Sequence, residues 1–194
     1  MYDALNAATA AWSKRVLATV DACTGQHAKV DVDTLADALS QTAMWDGCPQ
    51  AGLLCASAAP SYRRILLGDG KPRHYEALLI LWPAGHATPI HDHDGLWGME
   101  FVLDGVLEVE SFQLSTQPAL HLEHGHTLVM GVGDHVAFSD ADYAHRCRNL
   151  SMRQQALSLH IYGGELNAYR SFRHDHGEWS SEHHRTVREA VSRA

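Results

Sequence analysis

Residues 85–93 read Gly85-His86-Ala87-Thr88-Pro89-Ile90-His91-Asp92-His93. On an extended segment residues i and i+2 face the same side, so His91 and His93 present two imidazoles to one point while Asp92 faces away. A bare His-x-His pair also suits surface or core histidines. What sharpens it is His145, in Asp142-Tyr143-Ala144-His145-Arg146-Cys147-Arg148-Asn149, at the start of the last strands of the same region. Closing a small barrel brings first and last strands together.

The surrounding pattern supports such a barrel. From Ser61 to about Tyr162 the chain breaks into short runs rich in Leu, Val, Ile and Phe, at 64–67, 75–82, 99–103, 106–112, 127–130, 136–138 and 155–162. Gly, Pro and Asp clusters bound them: Gly68-Asp69-Gly70, Asp104-Gly105 and 131–134. Asp104-Gly105, between Val102-Leu103 and Val106-Leu107, marks a hairpin. A mainly β fold is predicted, an antiparallel sheet closed or sandwiched. Ahead of it, apolar residues recur at helical spacing over 4–20 and 33–45 (Leu35, Ala38, Leu39, Ala43), with Asp33 as an N-cap, so short N-terminal α-helices are expected. Residues 47–60 read as a connector, and the polar, His-rich tail at 173–194 is expected to carry a C-terminal surface helix over 181–192.

Composition bounds the function. The 194 residues suit one domain, 1–194, divided into a helical segment (1–60), a β core (61–172) and a tail. Fifteen Lys and Arg against 23 Asp and Glu give a net charge of −8, which argues against nucleic acid or an anionic membrane as partner. Met1 to Lys14 carry Asp3 and no apolar signal core, and no run of 18 apolar residues occurs, so a cytoplasmic protein is expected. Cys23, Cys48, Cys55 and Cys147 form no CxxC pair and fit reduced thiols. Histidine is the unusual entry, with 15 residues. His121, His124, His126, His174, His176, His183 and His184 lie on polar segments and read as solvated; His86 is placed to line the mouth of a site.

In Ala156-Leu157-Ser158-Leu159-His160-Ile161-Tyr162 the polar residues alternate with apolar ones. Ser158, His160 and Tyr162 therefore share one strand face. Alternation alone would also describe a solvated edge.

These residues resemble the cupin superfamily, whose first motif matches Gly85, His91, His93 and Gly105, and whose second matches His145 and Asn149. Where the usual cupin carries a carboxylate ligand this chain has Gly98; Glu100, two residues on, shares that strand face, and a slipped register would bring it in. An all-histidine triad narrows the resemblance to thiol dioxygenases of the cysteine dioxygenase type. The resemblance implies a cupin barrel, Fe(II) held by His91, His93 and His145, and a Ser158-His160-Tyr162 relay in which Tyr162 acts as acid or hydrogen-bond donor. Tyr62-Arg63-Arg64 resembles the Tyr-x-Arg of cysteine dioxygenases, so Arg64 is expected to hold a substrate carboxylate with Tyr62 beside it and Arg63 facing outward. Arg170 sits near the anchoring arginine of 3-mercaptopropionate dioxygenases. Two departures stand out. Gly98 replaces the Cys that animal enzymes cross-link to Tyr, and Gly163-Gly164 replaces a pair that includes their cis-proline.

The implied reaction adds both atoms of O₂ to the sulfur of a small carboxylated thiol, giving a sulfinic acid. Cysteine is expected first, 3-mercaptopropionate or mercaptosuccinate as alternatives, with thiol and O₂ as partners and a monomer expected ahead of a homo-oligomer. Two other classes stay open: a Zn²⁺ or Mn²⁺ cupin hydrolase or isomerase, and a non-catalytic cupin that binds a small acid.

Overall fold

The computed structural model describes residues 7–25, 30–54, 61–68 and 72–190. The expected features at 4–6, at 55–60 with Cys55, at Asp69-Gly70 and at 191–194 lie outside them. Helix α1 (Ala7–Thr24) buries Thr9, Trp12, Ser13, Val16, Leu17 and Val20, a stripe three or four residues apart. Helix α2 (Val32–Leu39) is capped by Asp31 rather than Asp33, because the Asp31 side chain accepts from the Thr34 backbone N–H. A 3₁₀ turn (Thr42–Met44) and α3 (Ala51–Leu54) complete the helical segment.

Twelve strands follow among the described residues. They are β1 (Arg63–Leu66), β2 (Glu76–Trp82), β3 (Ile90–His91), β4 (Gly98–Asp104), β5 (Leu107–Ser115), β6 (His121–Met130), β7 (His135–Phe138), β8 (Tyr143–Asn149), β9 (Ala156–Tyr162), β10 (Ala168–Asp175), β11 (Glu178–Arg185) and β12 (Glu189–Ala190). Two six-stranded sheets result, ordered β12-β1-β2-β9-β4-β7 and β11-β10-β3-β8-β5-β6. Pairing is antiparallel except where β12 runs parallel to β1. This is the mainly β, antiparallel architecture expected, with its few helices gathered at the N-terminal side.

The first sheet is covered on both faces. Leu79, Leu81, Leu157, Leu159 and Ile161 pack outward against Trp12, Val16 and Leu35 of the helices. Leu78, Ile80, Trp82, Ala156 and Tyr162 pack inward with Leu107, Val109 and Cys147 of the second sheet. A strand buried on both sides reads as a continuous apolar run, which is what Leu78-Leu79-Ile80-Leu81 is. The polar residues of β9 are thus no solvated edge: Ser158 and His160 lie buried between the sheets.

Over the described part of the expected surface helix, residues 181–190, no helix forms. Strands β10 and β11 are joined through His176 and Gly177, both at positive φ, the two-residue turn whose twist suits a hairpin. Strand β12 then lies against β1, where the Arg63 guanidinium meets the Glu189 carboxylate at 2.7 Å. The polar tail has no apolar stripe to bury as a helix, and Val187 is exposed. Its backbone groups pair with open strand edges instead.

Candidate functional site

Strands β3 and β8 place His91 directly opposite His145, and His93 follows two residues after His91. One ligand atom from each of the three imidazoles lies within 4.8 Å of the others. Each ring is presented differently. His91 Nδ1 is 3.0 Å from the Pro89 carbonyl, to which it donates, leaving Nε2 as the lone-pair nitrogen. His145 Nδ1 is 3.0 Å from Glu100 Oε1. His93 is buried, and neither of its ring nitrogens has a hydrogen-bond partner. An orphaned imidazole is costly in an apolar wall, whereas a divalent metal ion would satisfy it. Burial, with His145 adding to it, pushes His91 down to about 3 and His93 well below its ordinary value, so both rings are neutral at neutral pH, the form a metal ligand needs.

Facing them, β9 carries the polar series. Trp82 Nε1 donates to Ser158 Oγ at 2.8 Å, Ser158 Oγ is 2.8 Å from His160 Nε2, and His160 Nδ1 is 3.1 Å from the Tyr162 hydroxyl. Indole only donates, so the proton of Ser158 is directed to His160 Nε2 and the imidazole proton sits on Nδ1, toward Tyr162. That assignment leaves the Tyr162 hydroxyl proton for an occupant of the cavity. Burial pushes His160 down to about 4 and Tyr162 well up, which keeps the imidazole and the phenol neutral. Trp82 is a partner that the sequence reading missed; a buried Trp whose N–H must find an acceptor was the available signal.

Two positions on β4 explain the departures from the cupin motif. Gly98 pairs with Tyr162, and a Cβ there would lie 2.5 Å from the Phe138 ring and 2.9 Å from Tyr162. Aromatic rings fill the space of the missing side chain. Glu100 pairs with His160 and is fully buried, with no slip in register, since the irregularity in this pairing comes later, between Val102 and Asp104. Its Oε2 is 3.6 Å from His160 Nε2, and Cys147 Sγ lies 3.6 Å away. Burial alone would raise the Glu100 carboxyl, but His145 and His160 outweigh it and hold the group down at about 2. Burial and Glu100 together push the Cys147 thiol up, so it stays protonated.

A cavity of about 400 Å³ opens beside these groups, lined by Tyr62, Arg64, His86, His145, Tyr162 and Tyr169 among others. Tyr62 stacks on His86 with ring centroids 4.7 Å apart, and both line this cavity. Along β1 the side chains alternate: Leu66 packs in the interior and Ile65 in the helical layer, which puts Arg64 on the interior face and Arg63 on the helical one, with both arginines bordering the cavity. The Arg64 Nε is buried without a hydrogen-bond partner. Arg63, expected to face outward, does leave the barrel interior but is not solvated; it is buried on the Leu54 carbonyl and Glu189. Arg170 is not where substrate anchoring needs it. Its neighbour Tyr169 faces the cavity, so Arg170 faces away, and its Nε is bound 2.7 Å from the buried Asp92 carboxylate. The same carboxylate accepts the Arg170 backbone N–H, fastening the His91-Asp92-His93 segment to β10.

Asn149 has a structural part. Its amide donates to the carbonyls of Trp82, Pro83 and Gln154, tying the ends of β2 and β8 together. Among the described residues, the groupings able to hold a metal ion are His91-His93-His145 and Glu100-His145-Cys147, and the histidines of β6, β10 and β11 enter neither.

Known proteins resemble the chain to differing extents. Cysteine dioxygenase type 1 of Danio rerio is 28% identical over 131 residues, 66% of this chain and 61% of the relative. The Homo sapiens protein of that name is 24% identical over 111 residues, 57% of this chain and 55% of the relative. The matches thus span a little over half the length of these curated relatives. Among solved structures, the cupin domain of Schizosaccharomyces pombe Cnp3 is 13% identical with a TM-score of 0.43, covering 57% of this chain and 66% of that one. The family model described as cysteine dioxygenase type I matches residues 12–175, from the first helix to the end of β10 and so well beyond the 61–172 core that carries the motifs. By that match the chain belongs to the cysteine dioxygenase type I family.

Proposed function

We propose that the protein is a thiol dioxygenase that converts a small carboxylated thiol and O₂ to the sulfinic acid, RSH + O₂ → RSO₂H, with Fe(II) held by His91, His93 and His145. One observation carries the reading: three converging imidazoles, one with both nitrogens orphaned, face a polarised hydrogen-bond chain ending on a hydroxyl that points into the cavity. Bound iron would supply open positions that attract a thiolate and activate O₂.

The chain's own residues do the rest. Arg64, with its unpaired buried Nε, binds the substrate carboxylate, and Tyr62 walls the cavity beside it. Tyr162 offers its hydroxyl proton to charge developing on the reacting atoms. Ser158 and Trp82 fix the tautomer of His160 and so the direction of that proton. The buried walls exclude water from the reaction.

With Arg170 bound to Asp92, Arg64 alone of these two arginines is left to meet a substrate carboxylate, which favours one carboxylate over two. Cysteine is therefore placed first and 3-mercaptopropionate second, with mercaptosuccinate behind them. The test is oxygen uptake and sulfinate formation by the Fe(II)-loaded protein with these three thiols and cysteamine. Stoichiometric conversion of a carboxylated thiol supports the reading. Its failure with all three, or better turnover of cysteamine, overturns it.

A further inference from the structure

Glu100 stands out among the buried groups that the proposed reaction does not use. It interrupts the apolar run Met99, Phe101, Val102, Leu103 on an interior strand, and it is fully buried. A buried carboxylate normally keeps a guanidinium or ammonium beside it. Here its polar neighbours are two imidazoles and a thiol: His145 at 3.0 Å, His160 at 3.6 Å and Cys147 at 3.6 Å. No Arg or Lys pairs with it among the described residues. A divalent ion held by His91, His93 and His145 would supply the balancing charge.

The geometry supports that assignment. Glu100 Oε1 occupies Nδ1 of His145, and a carboxylate on one nitrogen of an imidazole fixes the proton there and turns the other nitrogen, Nε2, toward the metal. His91 achieves the same with the Pro89 carbonyl. The carboxylate differs from the carbonyl in bringing a full negative charge. Three neutral imidazoles alone would leave a divalent centre at +2, and Glu100 lowers the assembly to +1. Its second oxygen faces His160, so one side chain borders both the metal ligand and the proton chain.

We infer that Glu100 is a positioning residue for the metal centre, an anionic clasp that orients His145, strengthens it as a ligand and supplies the counter-charge of the bound ion. The inference rests on the reading of His91, His93 and His145 as metal ligands, and on no assumption about the substrate.

The test uses the full chain, freed of metal and titrated with Co(II) in competition with a chromophoric chelator, without thiol or oxygen. Glu100→Gln keeps the shape and an acceptor for the Nδ1 proton but removes the charge. It should weaken Co(II) binding by about 10- to 100-fold while leaving the positions of the Co(II) d–d bands unchanged. Glu100→Met removes the acceptor as well and should bind more weakly still; should it fail to fold, the Gln variant decides alone. Unchanged affinity in Glu100→Gln, even with a lower melting temperature of the metal-free protein, would reduce Glu100 to a packing role and overturn the inference. A shift of the d–d bands to a lower coordination number would make Glu100 a ligand itself and overturn it equally. Because no turnover is measured, a protein that is no thiol dioxygenase could still pass this test.

Discussion

The imidazole of His93 stacks on the ring of Tyr162, with centroids 5.3 Å apart and planes inclined by 28°. A candidate metal ligand and the end of the proton chain therefore hold each other in place through ring contact, independently of the tyrosine hydroxyl.

Tyr162→Phe separates the two roles. The stack and the fold should persist and metal content should match wild type, while turnover falls by ~10²-fold or more with the loss of the donor. Metal analysis alongside oxygen uptake checks this. A Phe variant with full, coupled turnover would remove Tyr162 from the chemistry.

The two arginines should part company. Arg64→Ala is expected to raise KM for the carboxylated substrate ~30-fold or more, since truncating one partner of a charged hydrogen-bonded pair costs ~2 to 5 kcal/mol. Arg170→Ala should leave KM near wild type but lower stability by ~1 to 3 kcal/mol, because Asp92 keeps its burial and loses a charged partner. Steady-state kinetics and urea unfolding on both variants would show the opposite pattern if Arg170 were the anchor.

Acid should destabilise the metal-free protein early. His91 and His160 are held at about 3 and about 4 in the fold, against an ordinary value of 6.5. Above pH 6.5 neither state takes up these protons. Below it the unfolded chain does and the folded one does not, so stability falls with pH, each histidine adding up to ~1.4 kcal/mol per pH unit until its folded value is reached. Glu100 acts lower: its contribution is complete above about 4.5 and is lost as pH drops toward about 2. Urea midpoints at pH 7.5, 6.5 and 5.5 should be flat over the first interval and drop over the second. A midpoint constant to pH 5 would contradict the burial of these rings.

Gly98→Ala probes the crowded side of the site. The added methyl would meet the rings of Phe138 and Tyr162 closer than van der Waals contact allows, for a cost of ~1 to 3 kcal/mol. A lower melting temperature together with reduced turnover is expected, since Tyr162 is one of the two rings, with Phe138, that must yield. Wild-type behaviour in both measurements would show that the rings shift freely.

Much of this was legible in the chain before its coordinates. The shared face of His91 and His93 follows from strand alternation, and that of Ser158, His160 and Tyr162 from the same period of two on β9, because both signals are local; His145 joins them through barrel closure and the resemblance to the cupin motifs. Arg64 and Arg63 were sorted to opposite faces by the same rule. The misses are non-local. Whether Arg170 faces the cavity or Asp92 depends on the register of β10 against β3, where Ser171 pairs with His91, and no sequence spacing encodes that. The tail read as a helix because its polar residues have no strand signature of their own; the partners that make it a strand lie about ten residues away for β11 and over 120 for β12. Glu100 was visible as an acidic residue in an apolar run, but its role depended on which histidine stood across from it.

Strand β9 has helices on one side and the candidate metal centre on the other, and this leaves it with no neutral positions. Leu157, Leu159 and Ile161 seal the helical layer, and Ser158, His160 and Tyr162 carry the proton chain. Strand β6 is its opposite, exposed along nearly its whole length with His, Glu and Thr facing solvent. Inherited variation should accumulate accordingly: drift in β6 is cheap, whereas a single replacement anywhere in β9 alters either the packing or the chemistry. A mutation that loosened the helices would also reach the proton chain, since one strand forms both boundaries.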